Sequence, residues 1–150
     1  MKVNKIMTED IKACRLNDKL EDAVNIMWHG DCGVLPIVNE KNKLVGIVTD
    51  RDIAMAIGTR NQLASEIIVS DFATRKIVTC TPQEKIKKIL KKMAKYQIKR
   101  IPVVEKTGKL VGMISMVDIL RSTSKKSVRK RVLKTLTAIG KPYPISLEEI

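Results

Sequence analysis

The chain carries one stretch twice, as LPIVNEKNKLVGIVTDRD over residues 35–52 and as IPVVEKTGKLVGMISMVD over residues 101–118. The offset of 66 residues holds without a gap from residue 4 to residue 57, and 13 of those 54 positions are identical. Self-similarity at one fixed period indicates a duplicated structural unit. Two copies are too few for a solenoid, so the pattern favours a pair of units related by pseudo-twofold symmetry.

Each copy predicts the same order of elements. A short strand, at 11–14 and 77–79, is followed by a helix, then by two buried strands joined by a tight turn, and then by a second helix. Thr81 to Glu84 predicts a capping box at the start of one helix, and Gly58 predicts the end of another. The helices before the buried strands have apolar residues at i, i+3, i+4 and i+7: Leu20, Ala23, Val24 and Met27, matched by Ile86, Ile89, Leu90 and Met93.

The predicted fold class is therefore α/β in the α+β sense. It consists of two β-α-β-β-α units, residues 1–66 and 67–124, which pack with pseudo-twofold symmetry. A basic C-terminal helical extension follows at residues 125–150. Within it, Ser127 predicts the cap of a helix that ends at Gly140, and lysines and arginines occupy its polar face. Its apolar stripe consists of Val128, Val132, Leu136 and Ile139.

Composition excludes several classes of protein. Apolar residues make up 44% and charged residues 30%, which is typical of a globular chain and not of a disordered one. No apolar run reaches the roughly 20 residues of a membrane span, and the N-terminus lacks the apolar segment of a signal peptide. Three cysteines do not indicate a disulfide framework, so we expect a reducing compartment, the cytoplasm.

The net charge of +13 belongs entirely to the second half of the chain. Residues 1–70 contain 9 Lys/Arg and 10 Asp/Glu, whereas residues 71–150 contain 20 and 6. Such an asymmetry indicates either an anionic partner or a solvated lysine-rich surface. A basic amphipathic helix can lie on a membrane, bind a partner or contact nucleic acid. For the basic extension we favour a helix that packs its stripe on the units or on a dimer mate, because it has no Phe or Trp to anchor it in a membrane.

The residues whose side chains could bind a ligand lie where the second buried strand of each copy meets a helix. Thr49 precedes Asp52 by three residues, and Ser115 precedes Asp118 in the same way, so each pair lies on one side of a first helical turn. Helix capping explains such a pair. The free N–H groups of a helix start also attract phosphate, and a carboxylate beside them can accept ribose hydroxyls. Capping and ligand binding are compatible.

Prolines and arginines near these pairs complete two candidate sites that differ. Pro36 and Pro102, together with Leu35 and Ile101, predict a rigid apolar wall for a base. Arg51 has Val117 as its counterpart, and Arg100 has Val34, so each copy offers one arginine from a different place. A guanidinium is planar, permanently charged and bidentate, which suits phosphate. We expect the site at Thr49 and Asp52 to be the stronger phosphate binder.

This ordered set of motifs resembles the cystathionine β-synthase (CBS) domain family, in the tandem arrangement called a Bateman module, over about residues 1–123. The resemblance implies two clefts between the units for an adenosine derivative (AMP, ADP, ATP or S-adenosylmethionine), as a regulatory ligand and not an obligatory cofactor. It also implies a homodimer that signals to a regulated partner and is not an enzyme. The residues that it assigns are Asp52 and Asp118 for ribose, Thr49 and Ser115 for phosphate, and the backbone at Ile11 and Ile77 for adenine.

Other functions have weaker support from the residues. A nucleic-acid-binding regulator would use the basic second half and the C-terminal helix, although no helix-turn-helix, RNA-binding aromatic set or zinc module is visible. An enzyme is disfavoured by a single histidine and the lack of a phosphate loop. His29, Cys32 and Cys14 fall short of the four ligands of a structural zinc site. Cys14 and Cys80 occupy equivalent positions, which favours buried core residues.

Overall fold

A computed structural model describes residues 1–74 and 76–142 of the chain. Two short 3₁₀ helices, Val3–Lys5 and Val69–Asp71, occupy equivalent positions in the two copies. No helix within the described ranges is long and apolar enough to cross a membrane. The other elements are α1 (Leu20–Gly30), β1 (Val34–Val38), β2 (Leu44–Thr49), α2 (Asp50–Arg60), α3 (Ile86–Tyr96), β3 (Arg100–Val104), β4 (Leu110–Ser115), α4 (Met116–Arg121) and α5 (Lys126–Ile139).

The two hairpins confirm the predicted repeat. Strand β1 pairs antiparallel with β2, and β3 pairs with β4 in the same register, so that Pro36 faces Ile47 and Pro102 faces Met113. The tight turns place Asn42 and Gly108 in the left-handed region, at φ 57° and 85°. Backbone hydrogen bonds from Leu44 N–H to Gly108 O and from Leu110 N–H to Asn42 O join the two turns. The mutual pairing of equivalent residues is the expected pseudo-twofold packing.

The predicted strands at 11–14 and 77–79 are not regular strands. Each is reduced to one parallel bridge, between Cys14 and Ile37 and between Cys80 and Val103. Cys14 N–H donates to Pro36 O at 3.0 Å, and Val38 N–H donates to Cys14 O at 2.9 Å. The segment therefore pairs with β1 at one residue and diverges on either side.

The segments before these bridges are exchanged between the units. Val3 N–H donates to Glu84 O, in the second copy, and Val69 N–H donates to Asp18 O, in the first. Val3 is fully buried in the core of the second copy, and Val69 in that of the first. The spatial units are therefore offset from the sequence repeat, because residues 1–8 lie on the second unit and residues 67–74 on the first.

This exchange explains a glycine that both copies share. Thr8 pairs with Met113 of β4, and Thr74 pairs with Ile47 of β2. A Cβ atom at Gly112 would lie 2.8 Å from the carbonyl oxygen of Thr8, which is closer than carbon and oxygen can approach. Gly112 therefore leaves room for the exchanged backbone, whereas at Gly46 a Cβ atom would lie 3.4 Å from the Thr74 carbonyl oxygen and 3.0 Å from Ile37 Cδ1.

Two predicted helix ends are wrong by a few residues. Gly58 lies inside α2, which continues to Arg60 because Asn61 adopts the left-handed conformation at φ 48° and ends the helix. The box from Thr81 to Glu84 precedes α3, which begins at Ile86. One of its two hydrogen bonds forms, from Thr81 N–H to the Glu84 carboxylate. The Glu84 N–H donates to the backbone carbonyl of Thr81 instead of its hydroxyl, which closes a turn ahead of the helix.

The Glu84 carboxylate accepts two hydrogen bonds at Oε1 and forms an ion pair at Oε2 in this turn. Its Oε1 accepts from Thr81 N–H at 3.1 Å and from Lys92 Nζ at 3.0 Å, and its Oε2 forms an ion pair with Lys88 Nζ at 3.2 Å. Burial raises the pKa of Glu84, but the hydrogen bond from Lys92 and the other donors outweigh burial. The pKa of this carboxyl is therefore lowered from its ordinary value of 4.5.

We expect Glu84→Gln to lower the free energy of unfolding by about 1–2 kcal/mol at neutral pH, because it leaves Lys92 without its anion. A carboxylate whose pKa is lower in the folded chain contributes stability above the unfolded value, and this is lost as pH falls through the folded pKa. The gap between wild type and variant should therefore narrow below pH 4.5. Urea denaturation across this range measures it.

Lys88→Met is the control for that experiment. Its side chain is 65% exposed, so the loss of its ion pair should cost less than about 0.5 kcal/mol. A gap between wild type and Glu84→Gln that stayed constant down to acid unfolding would contradict the assigned role.

Helix α5 packs its apolar stripe on the second unit, one of the two placements that the sequence left open. Val132 is fully buried, and Val128, Leu136 and Ile139 pack against the same core. The helix begins at Lys126, so that Ser127 lies inside its first turn and does not cap it. Residues 143–150 of the predicted extension lie outside the described residues.

Candidate functional site

Two clefts lie between the units, and each combines residues of both. The first cleft, of about 420 Å³, brings Thr49 and Asp52 of the first copy to Ile77 and Pro102 of the second. The second cleft, of about 280 Å³, brings Ser115 and Asp118 to Ile11 and Pro36. In each cleft, the hydroxyl and carboxylate of one copy thus face the other copy's proline and its isoleucine from the segment before the bridge with β1 or β3.

In the first cleft, capping occupies only part of the polar pair. Thr49 N–H donates to Asp52 Oδ2 at 2.8 Å, and Asp52 N–H donates to Thr49 Oγ1 at 3.1 Å. Asp52 Oδ1 and the Thr49 hydroxyl proton have no partner among the described residues. This cleft therefore keeps one carboxylate oxygen to accept a hydrogen bond and one hydroxyl to donate one.

The second cleft uses its hydroxyl differently. Asp118 Oδ2 accepts from Ser115 N–H at 2.7 Å and also from the Ser115 hydroxyl at 2.6 Å. The proton that Thr49 keeps available is here directed at the carboxylate. The second cleft therefore retains an acceptor in Asp118 Oδ1 but has a weaker donor for an anion.

A protein-family model for the CBS domain matches residues 3–59 and 69–125, one match for each copy. The chain belongs to the CBS domain family. The match confirms the resemblance drawn from the repeated motifs, and the neighbouring structures confirm the fold class.

Three similar proteins illustrate the range of this family. YlbB of Bacillus subtilis, an uncharacterised protein, is 33% identical over 79% of both chains. The CBS domain pair of protein MJ0100, solved in complex with 5′-methylthioadenosine and S-adenosyl-L-methionine, is 30% identical, with a TM-score of 0.73 over 81% of this chain and 94% of that one. CBSX2 in complex with AMP shares the fold, at 22% identity and a TM-score of 0.71 over 81% and 94%.

Many CBS-containing relatives are larger proteins. The chain spans 23% to 52% of the length of four curated relatives, two of which are homoserine O-acetyltransferases. The similarity to those proteins therefore concerns only the part of each that aligns with this chain.

Three of the predicted site residues lie elsewhere in the CBS pair. The side chains of Leu35 and Ile101 are fully buried in the two cores, because alternate residues of β1 and β3 point inward, so they cannot form the wall of a cleft. Arg51 is exposed and lines neither cleft. It follows the N-cap by two residues, so it leaves α2 on a different side from Asp52.

Arg100 lines both clefts of the CBS pair, and so does its counterpart Val34. These two residues begin β3 and β1, where the clefts approach one another. The sequence offered one arginine in each copy and left open which cleft each one reaches, whereas the structure places Arg100 between both clefts.

The described lining residues give the clefts different charges. Besides Asp52 and Arg100, the first cleft has Lys76 and Lys99. The second has Lys12 and Asp10 besides Asp118 and Arg100. The first cleft thus has three cationic side chains and one carboxylate, whereas the second has two cationic side chains and two carboxylates. Lys12 and Lys76 lie four and two residues after the exchanged segments 1–8 and 67–74, so their placement depends on tertiary structure.

Two of the three cysteines of the CBS pair, Cys14 and Cys80, are buried as free thiols. Burial, followed by the charge of Asp18, raises the pKa of Cys14 to about 12, and burial and Glu84 raise that of Cys80 to about 12. Both thiols are buried, which confirms their core role. Within residues 1–74 and 76–142, no three His, Cys, Asp or Glu side chains meet as a metal site.

A further hollow of about 520 Å³ lies beside the hairpin turns, lined by Glu9, Asn42, Glu105 and Lys109 among others. It is larger than either cleft but contains no helix start and no hydroxyl and carboxylate pair. We therefore place the candidate site in the clefts.

Proposed function

We propose that this CBS pair is a regulatory module that binds adenosine-containing ligands in its two clefts. The observation that carries the proposal is that capping leaves Asp52 Oδ1 and the Thr49 hydroxyl proton available to a ligand. Both groups lie in the cleft that Pro102 also lines. A ribose can donate its hydroxyls to the carboxylate while a phosphate meets the hydroxyl and the N-terminus of α2. The ligands bound to MJ0100 and CBSX2 support this chemical class.

The clefts should prefer different members of that class. The first cleft, with Lys76, Lys99 and Arg100, favours a phosphorylated ligand such as AMP, ADP or ATP. The second, with Asp10 and Asp118 balancing its two cations, favours a ligand without phosphate, such as S-adenosylmethionine or methylthioadenosine. The Ser115 hydroxyl already donates its proton to Asp118, so it is a weaker donor to a phosphate, which supports the same difference in ligand preference.

The regulatory step follows from the shared walls of the clefts. Because each cleft takes residues from both units, a ligand contacts both and stabilises the arrangement that binds it better. We propose that this change in population is what a regulated partner senses. The homodimer, the partner and a cytoplasmic location remain proposals, and sedimentation equilibrium tests the first of them.

A ligand panel tests the function. AMP, ADP, ATP, S-adenosylmethionine and methylthioadenosine are titrated separately by calorimetry, with GMP as the control that keeps the ribose and phosphate of AMP and changes only the base. A ligand at about 100 times its Kd should stabilise the fold by about 2.7 kcal/mol, measurable as a rise in Tm. We expect at least one adenosine ligand to bind more tightly than GMP. Equal binding of GMP, or no binding by the panel, would overturn the proposal.

A further inference from the structure

A groove of about 360 Å³ runs between α3 and α5 and shares no residue with either cleft. Each helix lines it with residues at i, i+3, i+4 and i+7, a span of about 10 Å or two helical turns. These residues are Lys87, Leu90, Lys91 and Ala94 from α3, and Arg131, Lys134, Thr135 and Ala138 from α5.

The two helices run in the same direction. Gln97, at the end of α3, donates from Nε2 to Ala138 O at 3.4 Å and to Lys141 O at 2.7 Å, at the end of α5. The two alanines therefore lie at one end of the groove, and Lys87 and Arg131 at the other. Small side chains at that end allow a third helix to approach closely.

The floor of the groove is apolar. Leu90 is 4% exposed and Thr135 is 5% exposed. The Thr135 hydroxyl donates to Arg131 O at 2.9 Å, so its proton is already used. An occupant therefore contacts hydrocarbon at the centre of the groove.

The rim of the groove is cationic on both sides. Lys87 and Lys91 on α3 and Arg131 and Lys134 on α5 are exposed, and none forms an ion pair with a described residue. None of the described residues that line the groove is acidic. The occupant that complements it has an apolar stripe with carboxylates along both edges.

We propose that this groove docks an acidic amphipathic helix of a partner protein. Two parallel helices that line a groove with residues at i, i+3, i+4 and i+7 form a binding surface for the apolar face of a third helix. The four cationic side chains on the rim favour carboxylates on the flanks of that helix. A bilayer is flat and does not enter a concave groove. A nucleic-acid backbone gains nothing from the apolar floor around Leu90 and Ala138.

The groove is a feature of the second copy and not of the repeat. The positions in α1 that correspond to Lys87 and Lys91 are Glu21 and Asn25. The position that corresponds to Ala94 is Trp28, which is 82% exposed. The substitutions in α3 and the presence of α5 together form the groove on one side of the molecule.

The test uses the full chain and a labelled synthetic helix of about 15 residues, with leucines at i, i+3, i+4 and i+7 and glutamates on both flanks. Fluorescence anisotropy should show saturable binding to the wild type. The double variant Lys91→Glu/Arg131→Glu should bind at least about tenfold more weakly. Lys95→Glu/Lys130→Glu, on the same two helices but outside the groove, should change binding less than about twofold.

Shape is tested separately from charge. Ala138→Phe fills the groove without altering a charge and should also weaken binding at least about tenfold, while thermal unfolding shows that each variant is folded. Equal losses in the two charge-reversal variants, or no effect of Ala138→Phe, would overturn the proposal. So would tighter binding to anionic vesicles or duplex DNA than to the peptide. Failure here leaves nucleotide binding unaffected, because the clefts share no residue with the groove.

Discussion

Ile101→Ala should lower the free energy of unfolding by about 2–5 kcal/mol. The side chain is fully buried in the core that also contains Ile89, Met93 and Ile114, so its removal leaves a cavity as well as losing apolar contact. Urea denaturation at neutral pH measures the change. The experiment also distinguishes a core residue from the wall of a cleft.

Ile57→Ala is the matched control for Ile101→Ala. The same side chain is removed from a site that is 49% exposed, where the expected change is within about 0.5 kcal/mol. If Ile101→Ala lowered the free energy of unfolding by less than about 1 kcal/mol and the folded variant bound ligand more weakly, Ile101 would be a ligand-contacting residue and not a core residue.

Asp52→Asn should weaken AMP binding by about 10- to 100-fold, the factor expected when a charged hydrogen bond is lost. The asparagine oxygen can still accept from Thr49 N–H and so keep the helix cap, but the amide nitrogen then faces the ligand. That nitrogen cannot accept a ribose hydroxyl. Calorimetric titration gives the affinity, and Tm should change little because the cap persists.

Two further substitutions make the Asp52 result specific. Asp50→Asn removes the same charge two residues away, from an exposed side chain that lines neither cleft, and should leave affinity within about twofold. Asp118→Asn alters the second cleft and should affect the ligand without phosphate more than AMP. Equal weakening of AMP by Asp50→Asn and Asp52→Asn would show a general charge effect and contradict ribose binding in the first cleft.

Local chemistry made much of this fold predictable. The apolar spacing in α1 and α3, the turns at Asn42 and Gly108, and the pairing of Thr49 with Asp52 each depend on residues within a few positions of one another. The helix ends were predicted less accurately. Glycine favours the left-handed conformation that ends a helix, so the sequence predicted the end of α2 at Gly58, whereas Asn61 adopts that conformation instead.

The composition of the clefts could not be predicted from spacing. Lys76 and Lys12 reach the clefts because they follow exchanged segments, and Arg100 reaches both because β3 begins between them. Such placements depend on which distant backbones pair, and a single copy of the motif carries no information about its neighbour.

By itself the sequence determined that one unit occurs twice, that its strand-to-helix junctions carry a hydroxyl and a carboxylate, and that the two copies differ in their arginines. Only the tertiary structure decided that each junction faces the other copy, that Arg100 is shared and Arg51 is excluded, and that α3 and α5 enclose a cationic groove. The physical reason is range: helix and turn signals act over a few residues, whereas the exchange of residues 1–8 and 67–74 is set by burial and backbone pairing between segments far apart in the chain.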